Sequence, residues 1–430
     1  MANNVPHRFS ENVRQTLQEL ENLKTSIIVE QTPLPPKPAT RFVGRNAYLP
    51  IEIAGRELYG RAKLAGDLVR RGFQVVLGAT WNLGCNEYRD LPPGILLLKT
   101  LNALDAEKIK IAQKAGHIVA VLDEELFSIR PNAEWYRTQT NEEALHLSDM
   151  ICAPGLRSAD IFREVTDSKV EVTGTPRRLF PELEQGEDIL VCTKAGFVNG
   201  QRSFRENVIH ICRVYNKALS GEVLDYMKGD VIDEWAGLAL LLDTVQALSV
   251  RFPSRRIRLR VHPAENFKSY QVGGNVVFDS SPSFFESLNG AAVLVFVSGC
   301  STGIETFFAG VPSVRLGAGG YGLSHNLHVG AETANEAADA VAAQIESPKL
   351  LGDLSEHYSP LSLGEKLDEL QREFADDTTK DVEPVWRKRK QEIRSQPLLS
   401  AKFPDTPDDV IAGLAGADAK SIGWNTWLLK

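Results

Sequence analysis

Cysteine is sparse: Cys85, Cys152, Cys192, Cys212 and Cys300 are scattered through 430 residues, with no Cys-x-x-Cys pair and no zinc spacing. An odd number of isolated thiols, mostly among apolar neighbours, reads as reduced cysteine in a cytosolic protein and excludes a disulfide scaffold. Long apolar runs are missing as well. Nowhere do about 18 apolar residues stand together, so no membrane-spanning helix is expected, and a membrane partner is limited to peripheral contact. Long basic blocks are also absent, and 48 Lys and Arg against 56 Asp and Glu leave a net charge of −8. A nucleic-acid groove needs a Lys/Arg-rich face, so nucleic acid is not an expected partner. The short cluster EPVWRKRKQEIR (383–394) reads as a solvated helix face rather than a lipid-binding one. The opening MANNVPHRFSENVRQ has no apolar core, so no secretory signal is expected and the location is read as cytoplasmic.

Apolar residues make up 43% of the chain, enough at this length for two or three domains with cores of their own. Residues 1–42 read as an arm outside any core: a polar helical stretch near 9–24, then QTPLPPKPAT, whose prolines favour extended polyproline II. From Tyr48 onward the strand-like segments YLPIEIAG, FQVVLGA, GILLLKT, HIVAVLDEE, DMICAPG and KVEVTGTPR alternate with helical ones. Beyond the acidic turn PELEQGED (181–188) a second series follows. ILVCTKAGF, RIRLRVHP, NVVFD, AAVLVFV and VPSVRLG read as strands, with helices over 201–228 and 233–251. Continuous apolar strands separated by helices predict parallel sheets covered on both faces. The expected fold class is α/β, with two doubly wound Rossmann-like domains facing a cleft. They occupy 43–180 and 186–345, preceded by the arm at 1–42 and followed by a helical segment at 346–430.

Ligands of open α/β sheets bind beyond the carboxyl ends of the strands, so function is sought in the loops there. SGCSTGIETFFAG leaves a buried strand and opens a helix with good capping residues. Free N–H groups and the helix dipole attract anions at such a start, with Ser298, Gly299, Ser301 and Thr302 lining the turn. Glu305, one turn in, is placed to meet a ribose hydroxyl. The same residues also describe an ordinary capped helix. In RVHPAENFKSY a strand ends on His262 and Pro263. There His262 either closes a strand or hydrogen-bonds a phosphate and assists its departure.

Acids at strand ends of the first domain are candidates for a general base or a nucleophile. They are Asp123, Glu124 and Glu125 in VAVLDEELFS, which otherwise read as a solvated turn. Glu124 or Glu125 is favoured, and since successive strand residues face opposite ways at most one or two can aim into the cleft. Glu52 and Arg56 in EIAGREL are a second pair. An arginine grips a carboxylate through two parallel hydrogen bonds, or the two residues simply pair with each other. Asp230 and Asp233 stand before the helix expected at 233 and are kept as loop nucleophiles. The glycine-rich GAGGYGLSHNLHVG (317–330) reads as a mobile lid. Its His325 and His328 have no acid at ligand spacing, so neither a metal nor a cofactor is expected.

The His-Pro strand end followed by SGCSTGIETFFAGVP resembles the donor half of a GT-B glycosyltransferase. The His-Pro and Ser/Thr pair is similar to those of bacterial sialyltransferases and Kdo transferases that use CMP-activated sugars. The amino half, YLPIEIAGRELYGRAKLAGDLVRRGFQVVLGA with LPPGILLLKT and AVLDEE, is similar to the surface carbohydrate biosynthesis proteins. The likeness spans residues 47–345. It implies a Thr-Asn-Phe-Gly…Asn loop after the first strand of the second domain, read here as Thr193, Lys194, Ala195, Gly196 and Asn199, with Lys194 and Ala195 departing from the pattern. It further implies a metal-independent glycosyltransferase that moves Kdo or a related ulosonic acid from a CMP donor to a surface polysaccharide or its lipid-linked precursor. His262, Ser301 and Thr302 would hold the CMP phosphate and Glu305 the ribose. A nucleotide-sugar 2-epimerase, a CDP-glycerol-type transferase and a non-catalytic sugar-nucleotide-binding subunit of a glycan-assembly complex share the same framework.

Overall fold

The computed structural model describes residues 7–24, 33–36, 44–80, 83, 87–89, 91–124, 132–317, 323, 327–375, 405–423 and 425–430. Cys85, Glu125, His325, the basic cluster and most of the proline-rich and glycine-rich segments lie outside the described residues. The chain forms two compact units: 32–124, 140–181 and 354–430 make the first, and 1–31, 125–139 and 182–353 the second.

The first unit is built on β1 (Asn46–Ile51), β2 (Gln74–Ala79), β3 (Ile95–Leu98), β4 (Ile118–Leu122), β5 (Met150–Ala153) and β6 (Lys169–Val172). The second holds β7 (Asp188–Cys192), β8 (Ile257–Arg260), β9 (Val276–Phe278), β10 (Ala291–Val297), β11 (Ser313–Leu316) and β12 (Val329–Ala331). Neighbours among these twelve strands all run parallel. Two further strands, β13 (Ala419–Gly423) and β14 (Thr426–Leu429), return to the first sheet and pair antiparallel, β14 lying on β2.

The strand orders are β13-β14-β2-β1-β3-β4-β5-β6 and β12-β11-β10-β7-β8-β9. The second is the 3-2-1-4-5-6 order of dinucleotide-binding sheets, and β2-β1-β3-β4-β5 in the first is the flavodoxin-like order. Each sheet therefore reverses direction at one point, between β1 and β3 in the first and between β7 and β10 in the second. Both are covered by helices whose apolar faces fill the cores. Ala62, Ala65 and Leu68 of helix Ala54–Arg70 pack on the first sheet, and Leu241, Val245 and Leu248 of helix Gly221–Arg251 on the second.

Three expectations are corrected. The stretch at 1–42 is not only an arm. Its helix, His7–Leu23, buries Leu20 and Leu23 against Val208, Cys212, Leu224 and Met227 in a core cluster of the second unit. Those leucines lie three apart on one helical face, a stripe hidden by the polar residues around it. The break assumed between 228 and 233 does not exist: Gly221–Arg251 is one helix of 31 residues, so Asp230 and Asp233 are helical rather than on a loop. The C-terminal segment is not all helical. Trp427 and Leu429 of β14 join Leu363, Leu367, Leu370 and Ile411 in the core of the first unit. The β13–β14 turn carries Asn425 at φ 43, a left-handed conformation that asparagine tolerates better than most residues. Gly66 admits this segment: a Cβ there would stand 1.8 Å from the Ala415 carbonyl oxygen.

Candidate functional site

The reversal between β7 and β10 is where a sheet of this order opens a crevice beyond its carboxyl ends. The loop after β7 carries Lys194, Gly196 and Asn199, and the turn after β10 carries Ser298 to Thr302. Lys194 spans the two, its Nζ donating to the Ser298 carbonyl at 3.5 Å. Gly299 sits at φ 73, a left-handed turn position that favours glycine. Ser301 has helical dihedrals and makes no capping hydrogen bond, contrary to the expected cap, and Thr302 begins the helix Thr302–Phe308. The Thr302 hydroxyl accepts from the Cys300 thiol at 3.0 Å. Glu305 is buried on the inner side of that helix.

His262 follows β8, the strand on the other side of β7, and it is exposed. Its ring stands beside the β7 loop: a Cβ on Gly196 would lie 3.7 Å from His262 Nδ1. Nδ1 accepts the Ala264 N–H at 3.2 Å, which places the proton of the neutral ring on Nε2. Beneath the ring, the Thr193 hydroxyl accepts the His262 backbone N–H at 2.9 Å and donates to Glu265 Oε1 at 2.9 Å. The same Glu265 oxygen accepts the Ala195 N–H at 2.8 Å, and Tyr270 donates to the other oxygen. Burial pushes the Glu265 carboxyl up, opposed by these donors. Pro263 accepts from Gln201 at 2.9 Å, and Asn199 Oδ1 accepts from Ser269 at 2.8 Å. The loops after β7 and β8 are thus sewn into one rigid piece.

A second buried acid holds the same loop. Glu234 accepts the N–H groups of Phe197 and Val198 at 2.8 and 3.2 Å. Burial pushes its carboxyl up to about 7, against the pull of Lys194. The amides of 195, 197 and 198 are therefore committed to the protein's own carboxylates. Thr193→Val is expected to lower stability by about 1–3 kcal/mol, because Glu265 and the His262 amide each lose a partner. Thr193→Ser keeps the hydroxyl and stays near wild type. Urea unfolding checks this, and equal midpoints for the two variants would refute the coupling.

The first unit repeats the arrangement at its own reversal between β1 and β3. Lys99, just after β3, donates to Glu52 at 2.9 Å and to the buried Glu57 at 2.7 Å. Glu57 also accepts the Glu52 N–H at 2.9 Å. Arg56 lies in the first turn of helix Ala54–Arg70. Asp123 and Glu124, beyond β4, are buried. The Glu124 carboxylate accepts from Arg61 at 3.4 Å and from Thr175, and its carbonyl accepts from Arg177 at 3.2 Å. His328 is buried with both ring nitrogens engaged, by Ser313 and by the Gly303 carbonyl, and burial lowers its pKa to about 4. Among the described residues no cluster of three or more His, Cys, Asp or Glu could hold a metal ion, and no helix is long and apolar enough to cross a membrane.

No family profile matches this sequence, and no curated protein does. Among solved structures, a UDP-GlcNAc 2-epimerase from Methanocaldococcus jannaschii aligns over 76% of this chain and 99% of its own, at 12% identity and a TM-score of 0.45. The S. aureus MnaA–UDP complex aligns over 76% and 94%, at 13% identity and a TM-score of 0.46. The spinosyn rhamnosyltransferase SpnG with thymidine diphosphate aligns over 77% and 96%, at 13% identity and a TM-score of 0.38. What the strand orders themselves establish is two Rossmann-like units in one chain, the composition of the GT-B fold.

Sequence reading named the loops at 194–199, 262–263 and 298–302, which lie after β7, β8 and β10. It missed Lys99, Arg61, Thr193 as a link, and the buried acids Glu234 and Glu265. The available signals were a lysine directly after an apolar strand (LLLKT) and an arginine inside the apolar stripe of a helix.

Proposed function

We propose that this protein is a glycosyltransferase that moves Kdo or a related ulosonic acid from a CMP donor onto a bacterial surface polysaccharide or its lipid-linked precursor. One observation carries the reading: Lys194 reaches across the β7–β10 reversal to Ser298 while His262 stands over Gly196 from the next strand. A cation, an imidazole N–H and the hydroxyls of Ser301 and Thr302 thereby gather along one sheet edge. As the bond between sugar and phosphate breaks, negative charge builds on the departing CMP. Groups fixed in place before the reaction stabilise that charge without reorganising. Lys194 supplies positive charge, and His262 donates through Nε2. The acceptor is assigned to the first unit. Of Glu52, Asp123 and Glu124, Glu52 has the side chain that reaches solvent, at 38% exposure, and it is the group placed to accept a hydroxyl proton.

A thermal-shift panel of CMP, CDP, UDP and GDP tests the donor class. A nucleotide at a hundred times its Kd stabilises by about 2.7 kcal/mol, and CMP is expected to raise the midpoint most. A response led by UDP, or no response to any nucleotide, sinks the CMP reading. Conversion of a sugar nucleotide without an acceptor identifies an epimerase instead.

A further inference from the structure

Arg315 is a buried cation with no carboxylate in ion-pair distance among the described residues. It lies in β11 at 6% exposure, paired in register with Phe296 of β10. Val314 and Leu316 on either side face the core formed with helix Gly221–Arg251, so Arg315 points to the opposite face of the sheet. Its Nη1 donates to the Gly317 carbonyl, and its Nε has no hydrogen-bond partner among the described residues. Room has been made for it: a Cβ on Gly330 would stand 2.6 Å from Nη2.

Among the described residues no carboxylate lies within ion-pair distance, and Glu332 is the acid whose field reaches it. The adjoining sequence 318–326, AGGYGLSHN, contains no Asp or Glu. His328, close enough to feel Arg315, is kept neutral by burial and by the Arg315 charge itself. Burial accordingly drives the guanidinium pKa down. A buried charge is tolerated when it is paired and hydrogen-bonded, and a lone guanidinium held by one carbonyl is neither. Arginine's planar fork matches a phosphate oxygen pair.

We infer that Arg315 is an oxyanion site that takes a phosphate group of a ligand bound at the carboxyl edge of the second sheet, one strand beyond the β7–β10 reversal. That the phosphate belongs to a nucleotide rests on the function proposed above. The anion site itself does not.

The test uses the full chain, with inorganic phosphate and CMP as separate probes. Phosphate also stabilises proteins by exclusion from their surfaces, so the response is read as wild type minus variant. With no anion present, Arg315→Met is expected to melt at or above the wild-type midpoint, because an unbalanced buried charge has been removed. It is also expected to lose the extra stabilisation that phosphate and CMP give the wild type. Arg315→Lys keeps the charge but not the fork and should bind phosphate severalfold more weakly. If Arg315→Met melts lower without anion, or fails to fold, the arginine is structural and the inference is overturned. It is also overturned if the variant keeps the full anion response, or if neither probe stabilises the wild type. Stabilisation by phosphate but not by CMP upholds the anion site and removes the nucleotide reading.

Discussion

A His262→Ala protein is expected to unfold at the wild-type temperature and yet to transfer sugar about 100- to 10,000-fold more slowly, the usual loss when a positioned acid is removed. The two effects separate because of how the residue is held. Its imidazole is exposed, so little apolar burial is lost with it. The His262 backbone N–H bond to Thr193 survives in alanine, as do the Gln201–Pro263 and Ala195–Glu265 bonds beside it. The Ala264 N–H loses Nδ1 as acceptor, but it stands at an exposed residue where water replaces the ring. Turnover with a CMP-sugar donor, measured beside thermal unfolding, checks both halves. Undiminished turnover would remove His262 from the chemistry, and a large drop in melting temperature would make it a structural residue.

Glu124→Ala is expected to act in the opposite sense, costing about 3–5 kcal/mol of stability, because removing one partner of a buried ion pair strands the other. The side chains of Arg61 and Glu124 are each 2% exposed and 3.4 Å apart. Nε and Nη1 of Arg61 already lack partners among the described residues, so the guanidinium has no second acceptor to turn to. Thr175 loses its acceptor at the same time. Adding Arg61→Met to Glu124→Ala should recover part of the loss, since it removes the stranded charge while the cavity left by alanine remains. Urea midpoints of the two single variants and the double variant give the coupling directly. If Glu124→Ala instead keeps its stability and loses transfer, Glu124 belongs to the chemistry after all.

The strands were legible because parallel strands buried on both faces are written as unbroken apolar runs, as in AAVLVFV and ILVC. Their order was not, since periodicity says which face a residue takes and nothing about which strand lies beside it. That is why Lys194 and Ser298 could be named as loop residues without being seen as neighbours across a reversal. Buried polar residues were the other blind spot. Arg61 and Arg315 sit among apolar residues where the pattern expects none, and only coordinates distinguish a paired guanidinium from a lone one. The core role of the N-terminal helix and the β13–β14 hairpin escaped for a related reason: each completes a core assembled from distant sequence.

That last feature governs how the protein is made. The helix at 7–23 is translated well ahead of its packing partners, which run on to residue 227. The earlier-made strands β1 to β6 wait longer still, for Trp427 and Leu429 to close their core. Domains usually mature in the order of translation. Here the later half is complete while the earlier one still lacks the strand that pairs with β2. A nascent chain stalled before residue 405 would therefore carry one finished unit and one unfinished one, and the unfinished one is the natural substrate of a holdase chaperone.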